Sequence, residues 1–167
     1  LVSLCTTWQS KEWPPERFVA VLKTLPEDVQ IVFLGSSADC PVIEKAIVSL
    51  GKVWHGRVVS IAGETSLLET AALMKEATLL LCPDTGPLHI AAAVGLATLS
   101  LWGPTRPTIY GPLHGENVFL ETPYPCAPCC KTRCPRGTND CMKAIEAAAV
   151  AKKLAEGLKR RGGSRGR

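Results

Sequence analysis

Aromatic residues are scarce, with two Tyr, three Phe and four Trp in 167 residues. So few flat side chains, without a basic stripe on the body of the chain, leave no stacking platform and exclude a nucleic-acid-binding role. Long apolar runs are absent too. None approaches the roughly 18 residues of a membrane-spanning helix, and the first residues lack the basic flank of a secretory signal. There is no initiator methionine, and Leu1 opens straight into an apolar strand, so the natural chain is expected to begin earlier. The net charge of +4 misleads as a clue to partners, because Lys159, Arg160, Arg161, Arg165 and Arg167 supply five positive charges and the last nine residues hold no acid. Taking those five from +4 leaves residues 1–158 at −1, a nearly neutral body. The glycine-rich end KRRGGSRGR (159–167) is expected as a basic flexible tail, with attraction to anionic lipid headgroups the sharper alternative. What remains, 1–158, has the length of one domain and can bury a core of its own.

Short, continuously apolar segments recur at 1–5, 29–34, 57–61, 78–82 and 97–101, with a shorter one near 118–120. Helical patterns fall between or after them, at 15–25, 39–50, 66–76, 87–94 and 140–158. Strands without polar alternation belong in a parallel sheet covered on both faces, so the pattern predicts a doubly wound α/β domain. In such a sheet the loops after the strands gather on one edge, where open α/β sheets bind their ligands. The segment 102–139 is rich in proline and cysteine and reads as a shaped loop or lid.

The most informative of those loops is Asp84-Thr85-Gly86-Pro87-Leu88-His89, between the apolar run TLLLC and the small-residue run IAAAVG. Pro87 suits a first helical turn, where its missing N–H costs nothing. A helix start of this kind offers free N–H groups and the positive end of a dipole to an anion, and Gly86 lets a ligand approach the backbone. Read alone, Asp and Thr are also ordinary helix caps. Lys11 sits in the loop after the first strand, within reach of a diphosphate as a point charge, although most lone lysines are simply solvated. After ATLSLW comes another strand-to-loop passage, GPTRPTIYGP (103–112).

Four motifs in this order, Ser10-Lys11-Glu12-Trp13-Pro14, D-T-G-P-L-H-I-A-A-A, L-W-G-P-T and C-x-P-C…C-P-x-G…C-M, resemble glycosyltransferase family 9. Within it they are most similar to the lipopolysaccharide heptosyltransferases, the second type in particular. That family pairs two Rossmann-like domains in the GT-B arrangement, and this chain is similar, to about residue 158, only to the second, donor-binding half. The resemblance implies an inverting enzyme that transfers heptose from ADP-heptose to the lipopolysaccharide inner core, without a cofactor. It implies a lipid A–core acceptor, a cytoplasmic location and peripheral association with the inner face of the inner membrane. The base that activates the acceptor is expected in the amino-terminal domain, so no catalytic residue is assigned in this chain, and the chain alone is expected to be inactive. Another nucleotide-sugar transferase of GT-B architecture, or a non-catalytic nucleotide-binding or cysteine-cluster module, are the alternatives.

Carried over residue by residue, the resemblance makes Lys11, Asp84, Thr85, Gly86 and His89 the donor site. Thr85 and Gly86 hold the diphosphate and Asp84 and His89 organise the sugar-phosphate end. A carboxylate beside a diphosphate is repulsive unless something else binds it, so Asp84 is expected to be a positioning acceptor or the partner of Lys11. Trp13 and Pro14 read as packing residues at the entry to the first helix. Thr6, Thr7 and Ser10 add candidate hydroxyl donors. Ser36 and Ser37 after the second strand, and Thr65 and Ser66 after the third, are candidates for the ribose and base. First-type heptosyltransferases carry a ribose-binding glutamate in the loop after the second strand, where this chain has Ser36, Ser37 and Asp39 and no glutamate, and Thr65, Ser66 and Glu69 equally spell a helix cap. Cys126, Cys129, Cys134 and Cys141 have the close spacing C-x2-C-x4-C-x6-C, open to zinc or an iron–sulfur cluster, but lack the separation of a zinc ribbon. No metal is assigned to them; disulfides or free structural thiols are preferred. Cys5 and Cys82 read as small buried hydrophobes.

Overall fold

The computed structural model describes residues 1–162. Six parallel strands form a single sheet in the order β3-β2-β1-β4-β5-β6. They are β1 (Val2–Ser3), β2 (Ile31–Leu34), β3 (Val58–Ser60), β4 (Leu80–Pro83), β5 (Thr98–Trp102) and β6 (Asn117–Glu121). The helices are α1 (Pro15–Leu22), α2 (Cys40–Leu50), α3 (Leu67–Glu76), α4 (Gly86–Ala93), α5 (Pro107–Tyr110), α6 (Asp140–Lys143) and α7 (Ala147–Gly162). This is the doubly wound order in which the sheet grows outward from β1 in both directions. Val2 accordingly lies opposite Phe33 of β2 on one side and Leu81 of β4 on the other. Among the described residues, no helix is long and apolar enough to cross a membrane.

Alternate side chains of the apolar strands feed two cores. Leu81, Leu99 and Leu101 join one with Phe18 of α1, Ile43 of α2 and Val150 and Leu154 of α7. Leu80, Cys82 and Trp102 join the other with Met74 of α3 and Leu88 and Ala91 of α4. Continuous apolarity along a strand is therefore the mark of a sheet wet on neither face. Local signals start the helices: Pro15 opens α1, Pro41 lies in the first turn of α2, and Ser66 with Glu69 forms a reciprocal capping box at α3.

Three expectations need correction. The apolar period across 140–158 suggests one helix, but α6 and α7 are separate. The carbonyls at the break are taken by side chains: the Trp13 indole N–H donates to Ile145 at 3.1 Å, and the Arg17 guanidinium to Ile145 at 2.8 Å and to Lys143. Periodicity does not register such a break, because the competing donors come from α1 and the segment just before it. In addition α7 runs on through 162, so the first four residues of the expected tail are helical, while 163–167 lie outside the described residues. The segment 102–139, expected to be irregular apart from a short strand, also contains the helical turn α5.

Candidate functional site

The strand order reverses direction between β1 and β4, which are neighbours in the sheet, and the helices that follow them pack into opposite cores. Their outgoing loops must part, leaving a crevice at the carboxyl ends of the strands. The loop after β1 carries Lys11 in a 3-10 turn, Gln9–Lys11, and the loop after β4 carries Asp84, so the topology brings the two together. The Lys11 ammonium lies 2.6 Å from Asp84 Oδ2, with side-chain exposures of 13% and 6%. The Thr105 hydroxyl, buried in the loop after β5, donates to the same Oδ2 at 2.6 Å. Lys11 also sits over the Trp8 ring, 4.2 Å from its centroid. A buried pair of charges gives little net stability because desolvation offsets its attraction, whereas removing one partner strands the other. Asp84 is therefore a fixed acceptor that holds a lysine at the mouth of the crevice, as expected from its chemistry.

Thr85 occupies the N-cap position of α4 in extended conformation, yet its side chain makes no capping bond. The ordinary capping role, open on sequence grounds, is thus not filled by its hydroxyl. Gly86 is exposed, its φ is not positive, and a Cβ there would meet no protein atom within 4 Å. Neither packing nor backbone conformation demands glycine at that point. His89 is exposed in the same first turns, and its side chain makes no hydrogen bond or ion pair among the described residues.

The secondary candidates divide. Thr7 is exposed and, with Thr6, Gln9, Glu12, Thr132 and Arg133, lines an open polar depression of about 530 Å³. Burial pushes the Glu12 carboxyl up. Thr6 is turned on its own loop, accepting from the Trp8 N–H at 3.0 Å. Ser10, expected to offer its hydroxyl to a ligand, is 2% exposed and donates instead to the Lys131 carbonyl. Over β2, the N–H and hydroxyl of Ser36 both donate to Asp39 Oδ2, at 2.7 and 2.8 Å, while Ser37 is exposed. Asp39 also accepts the thiol of half-buried Cys5, whose pKa is pushed up to about 12, mainly by desolvation. Over β3, Ser66 caps α3 and the Thr65 hydroxyl meets Thr70 at 2.9 Å. These two loops touch: Gly63, at φ +74°, donates its N–H to Gly35, and a Cβ there would press within 2.9 Å of Ser37 Cα.

Cys126, Cys129, Cys134 and Cys141 do converge, lining one cavity of about 70 Å³ together with Ser10 and Pro104. Backbone N–H groups of Asn139, Arg136, Thr138 and Gly137 point at Cys134 and hold its thiol below the usual range. Burial pushes Cys141 up. All eight cysteines are free thiols, and among the described residues no group of three His, Cys, Asp or Glu side chains is placed to hold a metal ion. Cys82 is fully buried in its core, and burial raises its thiol pKa strongly.

Two residues escape a reading of the sequence. Thr105 stands inside the L-W-G-P-T motif, yet nothing in a Pro-Thr-Arg-Pro string says that the hydroxyl reaches Asp84. Asn139 donates its amide to the Gln9 carbonyl at 2.6 Å from the far end of the chain. Its only local signal is a polar residue before a helix.

A family model described as glycosyltransferase family 9 (heptosyltransferase) matches residues 1–139. Lipopolysaccharide heptosyltransferase 1 of Pseudomonas aeruginosa is 34% identical over 132 residues, covering 77% of this chain and 35% of the relative. The solved structure of the E. coli ADP-heptose lps heptosyltransferase II superimposes with a TM-score of 0.82 at 21% identity, over 95% of this chain and 46% of that one. E. coli heptosyltransferase WaaC with ADP gives 0.66 at 21% identity, over 93% and 43%. At those identities the structural likeness speaks for the fold. The chain spans between about a third and a half of the length of these proteins.

Proposed function

The chain belongs to glycosyltransferase family 9, and on that premise we propose that it is the nucleotide-sugar-binding half of a heptosyltransferase, taking ADP-heptose as donor. The observation that carries this is the Lys11–Asp84–Thr105 cluster, buried at the strand-order switch point beside the uncapped start of α4. A diphosphate placed there meets three complementary features. The Lys11 ammonium supplies positive charge, the Thr85 hydroxyl is free of any cap, and the N–H groups of the first turn are approachable because Gly86 carries no side chain. These groups stabilise the negative charge that grows on the leaving diphosphate as the bond to the anomeric carbon breaks. Asp84, with Thr105 donating to it, keeps one hydrogen-bonded partner when Lys11 turns toward phosphate, so its charge is not stranded. His89 faces the sugar-phosphate end. That relatives include a WaaC solved with ADP favours adenine as the base.

The inverting displacement needs a base at the acceptor hydroxyl. We assign none in this chain and expect it in an amino-terminal domain, together with the site for a lipid A–core acceptor. On the same proposal the enzyme works in the cytoplasm, peripheral at the inner face of the inner membrane, where such a lipid would be presented. Calorimetry with ADP, UDP and GDP, alongside a turnover assay, tests the assignment. The expected result is binding of ADP in preference to the other two, without sugar transfer by this chain alone. Preference for UDP or GDP would point to a different donor class, and efficient transfer by this chain would defeat the split of roles.

A further inference from the structure

The cysteine-rich segment between β6 and α6 has no part in the donor chemistry above, yet it is stitched to the turn that carries Lys11. The Asn139 amide donates to the Gln9 carbonyl at 2.6 Å, the Ser10 N–H donates to the Thr132 carbonyl at 3.1 Å, and the buried Ser10 hydroxyl donates to the Lys131 carbonyl. On its other side the Cys130 N–H donates to the Pro104 carbonyl at 2.8 Å, next to Thr105. Among the described residues, the local backbone bonds that close the Gln9–Lys11 turn are Lys11 N–H to Trp8 and Glu12 N–H to Gln9. A single 3-10 turn of this kind has little stability of its own.

Asn139 is built for the task. Its backbone is left-handed, at φ 51° and ψ 34°, a conformation that asparagine accepts more readily than other side chains. Its carbonyl accepts the N–H groups of Met142 and Lys143, the last two residues of α6, each at 3.0 Å, so the base of the side chain is anchored. From that anchor the amide reaches Gln9, two residues before Lys11.

We propose that Asn139 is a positioning residue: with Ser10 it clamps the cysteine-rich segment onto the Gln9–Lys11 turn and so holds the Lys11 ammonium in place for the donor diphosphate. The proposal rests on the donor-site assignment above. A lysine on a fixed turn has less backbone and side-chain freedom to lose when it grips an anion, which is where the clamp raises affinity.

The test is a double-mutant cycle on nucleotide binding by the full chain. Asn139→Gly removes the amide while keeping a residue at ease with positive φ, so the backbone need not move. Calorimetry with ADP and AMP is run on the unaltered chain, Asn139→Gly, Lys11→Ala and the double variant, and Ser10→Ala is run through the same cycle as a second probe. We expect Asn139→Gly to weaken ADP binding about three- to tenfold, the range of one lost hydrogen bond, with AMP nearly unchanged. In the Lys11→Ala background it should have almost no further effect, because a clamp that acts through Lys11 has nothing left to hold. Equal losses in both backgrounds, or equal losses for ADP and AMP, would overturn the proposal, since a merely structural bond is blind to Lys11 and to the second phosphate. Failure of the unaltered chain to bind ADP would defeat the donor-site assignment itself, and the clamp with it.

Discussion

The two ends of the crevice use their polar groups in opposite ways. At the β2 and β3 end, Ser36 with Asp39, Ser66 with Glu69, and Thr65 with Thr70 are bonded to partners no more than five residues away. At the β1 and β4 end, Lys11, Asp84 and Thr105 come from three different loops and meet only because the sheet aligns them. Local pairs form with the turn or helix they cap, and their groups are largely committed before a ligand arrives. The long-range cluster concentrates a charge pair in a nearly dry crevice, where each interaction is stronger than in water. On the donor assignment proposed above, the diphosphate end is the preorganised part of this site, and contacts to the ribose and base would fall to exposed groups such as Ser37.

The comparison breaks most sharply at Lys11. Lys11→Ala should weaken ADP binding by about tenfold or more, as befits a charge-assisted contact of roughly 1.5–3 kcal/mol, and AMP binding far less. Ser36→Ala, at the other end, should change the two nucleotides alike and by less. Calorimetric titration with both nucleotides reads this directly; equal losses in the Lys11 variant would move that residue off the second phosphate.

A smaller effect is expected at Thr105. Thr105→Val keeps the shape but removes a donor from buried Asp84, at a cost of about 1–3 kcal/mol in stability. ADP affinity should fall several-fold as Lys11 is drawn more tightly to the carboxylate, and Thr105→Ser should restore both. Thermal melts and ADP titrations of the pair check it, and a serine variant no better than valine would mean that packing of the methyl group, not the hydroxyl, matters.

The smallest change belongs to the locally capped end. The Ser66 N–H and hydroxyl hold the Glu69 carboxyl below its ordinary value of 4.5. Glu69 thus binds a proton less readily folded than unfolded, so its contribution is complete above the ordinary value and fades as pH falls through the lowered one. Glu69→Ala should lower the melting temperature slightly at neutral pH, the deficit should vanish in acid, and ADP affinity should stay unchanged. A loss of ADP affinity would bring the cap of α3 into the binding surface.

Much of this architecture is legible in the chain. All six strands lie within two residues of their apolar runs, and the inner four, β2, β1, β4 and β5, are read most directly because a strand buried on both faces cannot tolerate polar interruption. Lys11 and Asp84 are legible as partners, since a carboxylate expected beside a diphosphate needs a cation or a donor. The Ser66–Glu69 cap is legible because its partners lie three residues apart. Ser10 is not: a serine in a polar loop reads as a free hydroxyl, and only the segment folded over it, 121 residues further on, buries it. The break between α6 and α7 is hidden for the same reason, because Trp13 and Arg17 take its carbonyls from another helix and its entry.

What the sequence by itself determined is the six strands, the helices α1 to α4, the two-sided burial of the inner strands and the chemical types gathered at the carboxyl edge, all of which follow from hydrophobic pattern and from bonds between near neighbours. Only the tertiary structure decided which hydroxyls face the crevice and which are consumed behind it, that Thr105 shares Asp84 with Lys11, and that a cysteine-rich segment holds the lysine turn. Those outcomes depend on donors and acceptors brought together from loops far apart in the chain. A hydrogen bond reaches about 3 Å, so such partners remain invisible until the sheet has set their distance.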